Sequence, residues 1–355
     1  MPRDQLLESR IDQQRDLITR LNEENADLRK IRDALEQELA AAREEDEEDR
    51  LANLLSFKPL TIEVPHDVAG APGHPMTMWS DWHWGETVDP REMGGLNAFN
   101  EEIAQQRVRN LVSRTINILR NYAGMRAEYP DGMTVFLGGD MVSGLIHEEL
   151  VATNWGNIVD QAQGVASAIA GGLITLADAF GKVNVVGVVG NHGRLTKKPQ
   201  AKGRALDSYD RSVYKAVKHQ LGLLGEWRVS IEIPDEIDRL VHVYNHRFML
   251  THGDALGASG GDGLIGAIGP IMRGSLKIAI AQSQINRDFD TIVIGHWHQY
   301  MPRGDANPVI VNGTLKGYDE YARNILRARF ARPSQALWLV SPKNGVAAQW
   351  PVYVD

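Results

Sequence analysis

The stretch VVGNHGRLTKKPQAKGRA, residues 188–205, passes from an apolar run to a basic tract through a single Asn191-His192 pair. The run that leads into it, Val183–Val189, is short and valine-rich, the composition of a buried strand. A strand that ends in Gly-Asn-His delivers two side chains with oxygen and nitrogen donors to one point in space. In α/β sheets, binding sites form beyond the carboxyl ends of strands, where loops from neighbouring strands converge. If residues 190–192 belong to such a site, other strands must end in the same way.

Four others do. Met76–Trp79 runs into Ser80-Asp81-Trp82-His83, and Met133–Leu137 into Gly138-Gly139-Asp140. Phe248–Leu250 runs into Thr251-His252-Gly253-Asp254, and Thr291–Ile294 into Gly295-His296-Trp297-His298. Any one of these has a bland explanation, such as a turn, a common Gly-Asp or a satisfied core histidine. Together they gather Asp81, His83, Asp140, Asn191, His192, His252, His296 and His298, all hard or borderline donors suited to Mn²⁺, Fe, Zn²⁺ or Mg²⁺. Glycine precedes Asp140, Asn191 and His296, as expected where backbone must approach an ion closely. The chain has no cysteine, which excludes thiolate ligands and disulfides.

Helical patterns fall between several of the strands, at 99–123, 157–180 and 203–222. Val309–Val311 is a further strand candidate. Val241–Tyr244 and Arg247–Leu250 flank Asn245-His246 as a hairpin, and Ala336–Val340 and Val346–Trp350 flank the Asn344-Gly345 turn signal. The sum is an α/β domain whose later part is richer in antiparallel strands.

The ordered set Asp-x-His, Gly-Asp, Gly-Asn-His, a lone His and Gly-His-x-His resembles the signature of the calcineurin-like metallophosphoesterases, over residues 75–350. The resemblance implies a four-layer α/β/β/α sandwich of two packed sheets flanked by helices. It implies that Asp81, His83, Asp140 and His298 hold one divalent metal ion. Asp140, Asn191, His252 and His296 would hold a second, with Asp140 bridging, and Mn²⁺ is foremost among the candidates. His192 matches the family's catalytic histidine, which stabilises the transition state or protonates the leaving oxygen. Two ions about 4 Å apart can clamp a phosphate and lower the pKa of a bridging water to yield a hydroxide nucleophile, and a histidine can donate a proton near neutral pH.

The branch is narrowed by departures. Ser/Thr phosphatases of the family carry Asp where this chain has Ser143, an Arg-Gly soon after, and Glu where it has Gly193. With Ser143 there, no carboxylate remains at that position to orient His192. GNHGR (190–194), VNGTLKGYDEYA (311–322) and PSQALWLV (333–340) resemble phage and prophage metallophosphoesterases related to DNA-repair exonucleases. Arg194, Lys197, Lys198, Lys202 and Arg204 follow His192 directly and suit further phosphates of a DNA or RNA substrate, or form a solvated loop. Trp82, Trp84 and Trp297 could stack on bases or wall the metal site. His147-Glu148-Glu149 either reaches the pocket or is a surface cluster at a helix start. The Gly-rich residues 254–269 are a mobile loop over the site or an irregular connection.

The expectation is a two-metal phosphodiester hydrolase, a nuclease by preference. The alternatives are a nucleotide or small-molecule phosphodiesterase or phosphatase of the same fold, and an interaction protein with a vestigial phosphoesterase domain.

The N-terminus reads differently. Residues 1–50 carry 16 acids and 9 bases, so the formal net charge of −8 is nearly all theirs and the remainder is close to neutral. Counting Asp4 as a, the a positions are Asp4, Ile11, Ile18, Asn25, Arg32 and Leu39, and the d positions are Leu7, Gln14, Leu21, Leu28, Leu35 and Ala42. This is a heptad pattern, and Asn25 at a single a position fits a parallel homodimer. The alternative is a long helix packed on its own domain. The expected organisation is a coiled-coil helix at 1–48, a lead-in at 49–74 and the catalytic domain at 75–355. No apolar run near 18 residues and no secretory signal is present, which predicts a cytoplasmic protein of a bacterial or phage-infected cell with no membrane partner.

Overall fold

The structure, a computed structural model, describes residues 3–55, 73–122, 129–256, 268–302, 304 and 308–355. The chain divides into two units, Met1–Val68 and Ala69–Asp355. In the first, the heptad region is one unbroken helix, α1 (Arg3–Leu55), which runs beyond the expected end at residue 48. Its seam residues Ile11, Ile18, Leu21, Leu28, Leu35 and Leu39 are exposed along the single chain. Much of the lead-in, residues 56–72, lies outside the described residues.

The second unit holds two sheets. The first contains β1 (His74–Trp79), β2 (Met133–Leu137), β3 (Val183–Gly187) and β4 (Val229–Glu232), all parallel. The second contains β5 (Asp238–Val243), β6 (His246–Thr251), β7 (Thr291–Ile294) and β8 (Val309–Val311), parallel from β6 onward. A C-terminal hairpin, β9 (Ser334–Ser341) and β10 (Gly345–Tyr353), extends the first sheet beyond β1.

Strand periodicity builds the layers. In β1, Met76 and Met78 point one way and Trp79 the other; in β7, Val293 opposes Ile292 and Ile294. Met76, Met78, Phe136, Val186, Phe248, Val293, Ile310 and Trp338 pack together as the core between the sheets. On the outer face of the first sheet, Trp79, Val135 and Val185 meet α2 (Glu101–Asn117), α4 (Ile158–Phe180) and α5 (Tyr209–Leu223). On the outer face of the second, Met249, Ile292 and Val309 meet Ile271 of α6 (Ile268–Ser283). Helices therefore cover both outer faces of two sheets. Among the described residues, only α4 is long and apolar enough to cross a membrane, and half of that apolar window is buried within the domain.

Several boundaries differ from expectation for local reasons. α2 ends at Asn117 and continues as a π turn through Tyr122. α5 starts at Tyr209 rather than near 203, because the Ser208 side chain accepts from the Asp210 N–H and caps the helix there. The β5–β6 hairpin turns on Tyr244-Asn245, one residue earlier than expected. The short helix α3 (Glu148–Thr153) starts at the His147-Glu148-Glu149 cluster, as one of the two readings there had it, whereas β4 and α6 were not expected.

Candidate metal centre

The five strand ends converge. β1, β2 and β3 of the first sheet and β6 and β7 of the second all direct their carboxyl-terminal loops to one edge of the sandwich. Donor atoms of Asp81, His83 and His298 lie within 4.8 Å of one another, as do those of Asp140, His252 and His296. Asp140 also groups with His83 and His192, so one carboxylate faces both clusters. His83 Nε2 and His298 Nε2 are 3.1 Å apart, His298 Nε2 is 3.3 Å from Asp81 Oδ1, and His252 Nε2 is 3.0 Å from Asp140 Oδ2. Asn191 joins the second cluster with Oδ1 3.1 Å from His252 Nε2. Two imidazole nitrogens aimed at each other, with carboxylates beside them, form a donor set that fits divalent ions taking N and O ligands.

Backbone geometry explains how strand ends hold these side chains inward. Asp81, His83, Asp140, His296 and His298 all adopt left-handed backbone, with φ of 55°, 45°, 53°, 67° and 54°. Such residues cost roughly 1–3 kcal/mol each and persist where surrounding structure over-determines them. Here it does. Asp81 N–H donates to the Gly139 carbonyl and His83 N–H to the Asp140 carbonyl, tying the first loop to the second. His296 N–H donates to Asp81 Oδ1 at 2.9 Å, tying the second sheet's loop to the first.

Glycine at two of these strand ends also makes room for a neighbouring side chain. A Cβ on Gly190 would sit 2.2 Å from Asp140 Oδ1, and one on Gly295 would sit 2.3 Å from Asp81 Oδ2. These glycines leave room for the neighbouring aspartate carboxylate.

Charge is unevenly shared. Burial alone would lower the pKa of His252, but Asp140, with Asp81 and Asp254 behind it, overrides this and pushes it up to about 10. Burial opposes ionisation of Asp140, yet His252 and His192 hold its carboxyl well below the usual range. Burial pushes His192 and His296 down to about 4.

His192 sits edge-on to His83, ring centres 4.4 Å apart, and its N–H donates to Asp140 Oδ1 at 2.6 Å. Its Nδ1 lies 2.9 Å from the backbone carbonyl of Ser143. Ser143 thus orients the imidazole through its main chain and leaves Nε2 out of that contact. His147 lies beside it, ring centres 5.4 Å apart, at the start of α3. Glu148 of the same cluster is exposed and pairs with Lys197.

The basic tract is largely engaged. Arg194 donates to the carbonyls of Thr196 and Lys197, both at 2.9 Å, and so closes its own loop. Arg204 pairs with Asp254, while Lys198 and Lys202 are exposed. Arg194, Lys202, Arg204, Asn191 and Asp254 line a cavity of about 130 Å³ that opens beside the metal ligands. Trp82 and Trp84 are buried core residues, unavailable for stacking on bases, and Trp297 is half-buried against the outer core of the second sheet. Residues 257–267 of the Gly-rich stretch lie outside the described residues.

One organising residue was missed in the sequence. Asp210, buried in the first turn of α5, accepts three backbone N–H bonds: from Asp140 at 3.0 Å, Met141 at 3.0 Å and Gly190 at 2.9 Å. One turn on, Tyr214 Oη accepts from Gly139 N–H and donates to the Val188 carbonyl. Burial and then Asp140 raise the Asp210 carboxyl to about 6 despite those three donors.

No family model and no curated protein matches the chain. Among solved structures it is similar to a protein of unknown function from Aquifex aeolicus, at 12% identity and TM-score 0.30, over 68% of this chain and 89% of that one. It is also similar to a "Putative 5'-Nucleotidase from Staphylococcus aureus in complex with alpha-ketoglutarate", at 12% identity and TM-score 0.36, over 80% of this chain and 55% of that one. The chain thus spans about half the length of the second protein. Likenesses this loose carry no argument, so the case for a metal centre rests on the Asp and His clusters at the strand ends.

Proposed function

We propose that this chain is a two-metal phosphodiester hydrolase of the calcineurin-like metallophosphoesterase type, acting on nucleic acid. The observation that carries the reading is the position of Asp140, a buried carboxylate facing two donor clusters at once. Divalent ions bound there supply Lewis acidity toward phosphoryl oxygens and lower the pKa of water. Asp81, His83 and His298 hold one ion; Asn191, His252 and His296 hold the other; Asp140 is shared. His192 donates through Nδ1 to the Ser143 carbonyl, which leaves Nε2 as a lone pair; Nε2 takes up a proton from water and passes it to the leaving oxygen. Lys198 and Lys202 bind phosphates flanking the scissile one, while Arg194, Lys197 and Arg204 shape the loop that carries them. The exposed heptad seam of α1 pairs with a second copy, giving a homodimer in the cytoplasm of a bacterial or phage-infected cell.

A small-diester reading is favoured by one observation, that three of the five bases in the tract already have partners. The test is hydrolysis with added Mn²⁺ across a chromogenic phosphodiester, cyclic nucleotides, and single- and double-stranded DNA and RNA. Asp140→Ala is expected to lose more than about 100-fold of the rate, since it removes a ligand of both ions. His192→Ala is expected to lose about 10²–10⁴-fold in turnover with metal content kept. Inactivity of the wild type equal to that of Asp140→Ala on every substrate refutes the enzyme reading. Cleavage confined to small diesters selects the second reading.

A further inference from the structure

Behind His83, on the side away from the donor clusters, lies a buried charged group that the proposed chemistry leaves unused. Lys316 Nζ contacts Glu86 Oε1 at 2.6 Å and Asp319 Oδ2 at 2.5 Å, and all three side chains are at least nine-tenths buried. Glu86 reaches His83 with its other oxygen: Oε2 lies 3.6 Å from Nδ1. Neither of these two buried atoms has a hydrogen-bond partner. They face each other across a gap that a shift of under about an ångström would close to hydrogen-bond length. The opposite ring nitrogen, His83 Nε2, is the one aimed at His298.

The segment that brings Lys316 here is part of VNGTLKGYDEYA, and its path is fixed on all sides. The Lys316 carbonyl accepts from Asn97 Nδ2 at 2.9 Å and from Arg107 Nη1 at 2.6 Å. Leu315 N–H and Thr314 Oγ1 both donate to the Asp81 carbonyl, at 3.1 and 2.7 Å. The same segment therefore braces the backbone of Asp81 and sets the counter-charge behind His83.

We propose that Glu86, clamped by Lys316 and Asp319, is a positioning residue for His83. It accepts the Nδ1 proton, which fixes the tautomer that leaves Nε2 as a lone-pair donor toward the ion held by Asp81, His83 and His298. Carboxylate partners of metal-bound histidines act in this way, and their loss weakens metal binding about 10–100-fold. The pairing has a directional consequence: only the ion on the His83 side depends on it, while the ion held by Asn191, His252 and His296 does not. The inference rests on the metal-binding reading above.

The experiment is a Co²⁺ titration of the full chain, read by visible absorption and by bound metal after equilibrium dialysis. The wild type is expected to take up two ions. Glu86→Gln, which keeps the shape and leaves Lys316 paired with Asp319, is expected to weaken one of the two about 10–100-fold and leave the other unchanged. Lys316→Met is expected to weaken the same ion, and Glu86→Gln/Lys316→Met no more than the stronger single change. Should Lys316→Met fail to fold, Glu86→Gln alone decides. Two ions bound by Glu86→Gln with wild-type affinity overturn the proposal, whether or not its metal-free form melts at lower temperature. A wild type that binds no ion overturns the metal reading itself, and the proposal with it.

Discussion

At the scale of single residues, the centre is a set of side chains held in costly backbone and unusual protonation states. Asp81, His83, Asp140, His296 and His298 are left-handed, and the first four are each tied to a neighbouring loop by a hydrogen bond rather than held by their own conformational preference. A metal ion bound among these residues would have to expel a proton. His252 stays charged up to about pH 10 against Asp140, and a ligand histidine must be neutral. Raising the pH from 7 toward 10 removes that competing proton, so metal affinity is expected to rise, by up to about tenfold per pH unit. Calorimetry in buffers of differing ionisation heat checks this; no proton released on binding at pH 7.5 contradicts it. The Asp and His residues of the clusters were legible because each ends a recognisable apolar run. Asp210 and Glu86 were not. An acid in the first turn of a helix reads as an ordinary dipole partner, and a Glu three residues after His83 reads as loop surface. Only the folded chain shows that both are buried.

Among the elements, α5 does more than cover the sheet. Its first turn places Asp210 and Tyr214, one helical turn apart, against the ends of β2 and β3. Asp210→Ala leaves three buried N–H groups without partners, at roughly 1–3 kcal/mol each before relaxation. Urea denaturation of the metal-free protein is expected to show a loss of about 3–5 kcal/mol for Asp210→Ala. A loss below about 1 kcal/mol would mean the loops are held by other means. The strands that bear ligands were readable because they are continuous and apolar; β4 alternates buried and exposed over four residues and is too short to announce itself. α6 was hidden by Gly269, Pro270 and Gly274, which read as irregular chain, although Gly274 serves close packing against Leu256. The basic tract was legible as charge but not as structure, since sequence does not show that Arg194 turns back onto its own loop.

For the whole molecule, the short apolar runs separated by helical patterns foretold an α/β domain, while two packed sheets with helices outside were expected only from the resemblance to the calcineurin-like metallophosphoesterases. The N-terminal helix was equally plain from its heptads, and at 53 residues it extends about 80 Å. Among the described residues, Ile11, Ile18, Leu21, Leu28, Leu35 and Leu39 of its seam are exposed in a single chain, which burial in a second copy would relieve. Deleting residues 1–48 is expected to halve the mass in solution by light scattering; an unchanged subunit number refutes pairing through this helix. The second unit has its own seam. Asp81, His83, Asp140 and Asn191 hang from the first sheet, and His252, His296 and His298 from the second. Ions placed among them would act as rivets through both plates. Chelation would then be felt as loosening across the core between Met78 and Val293, far from any ligand, and a cell short of the metal would hold a protein that is both idle and easier to pull apart.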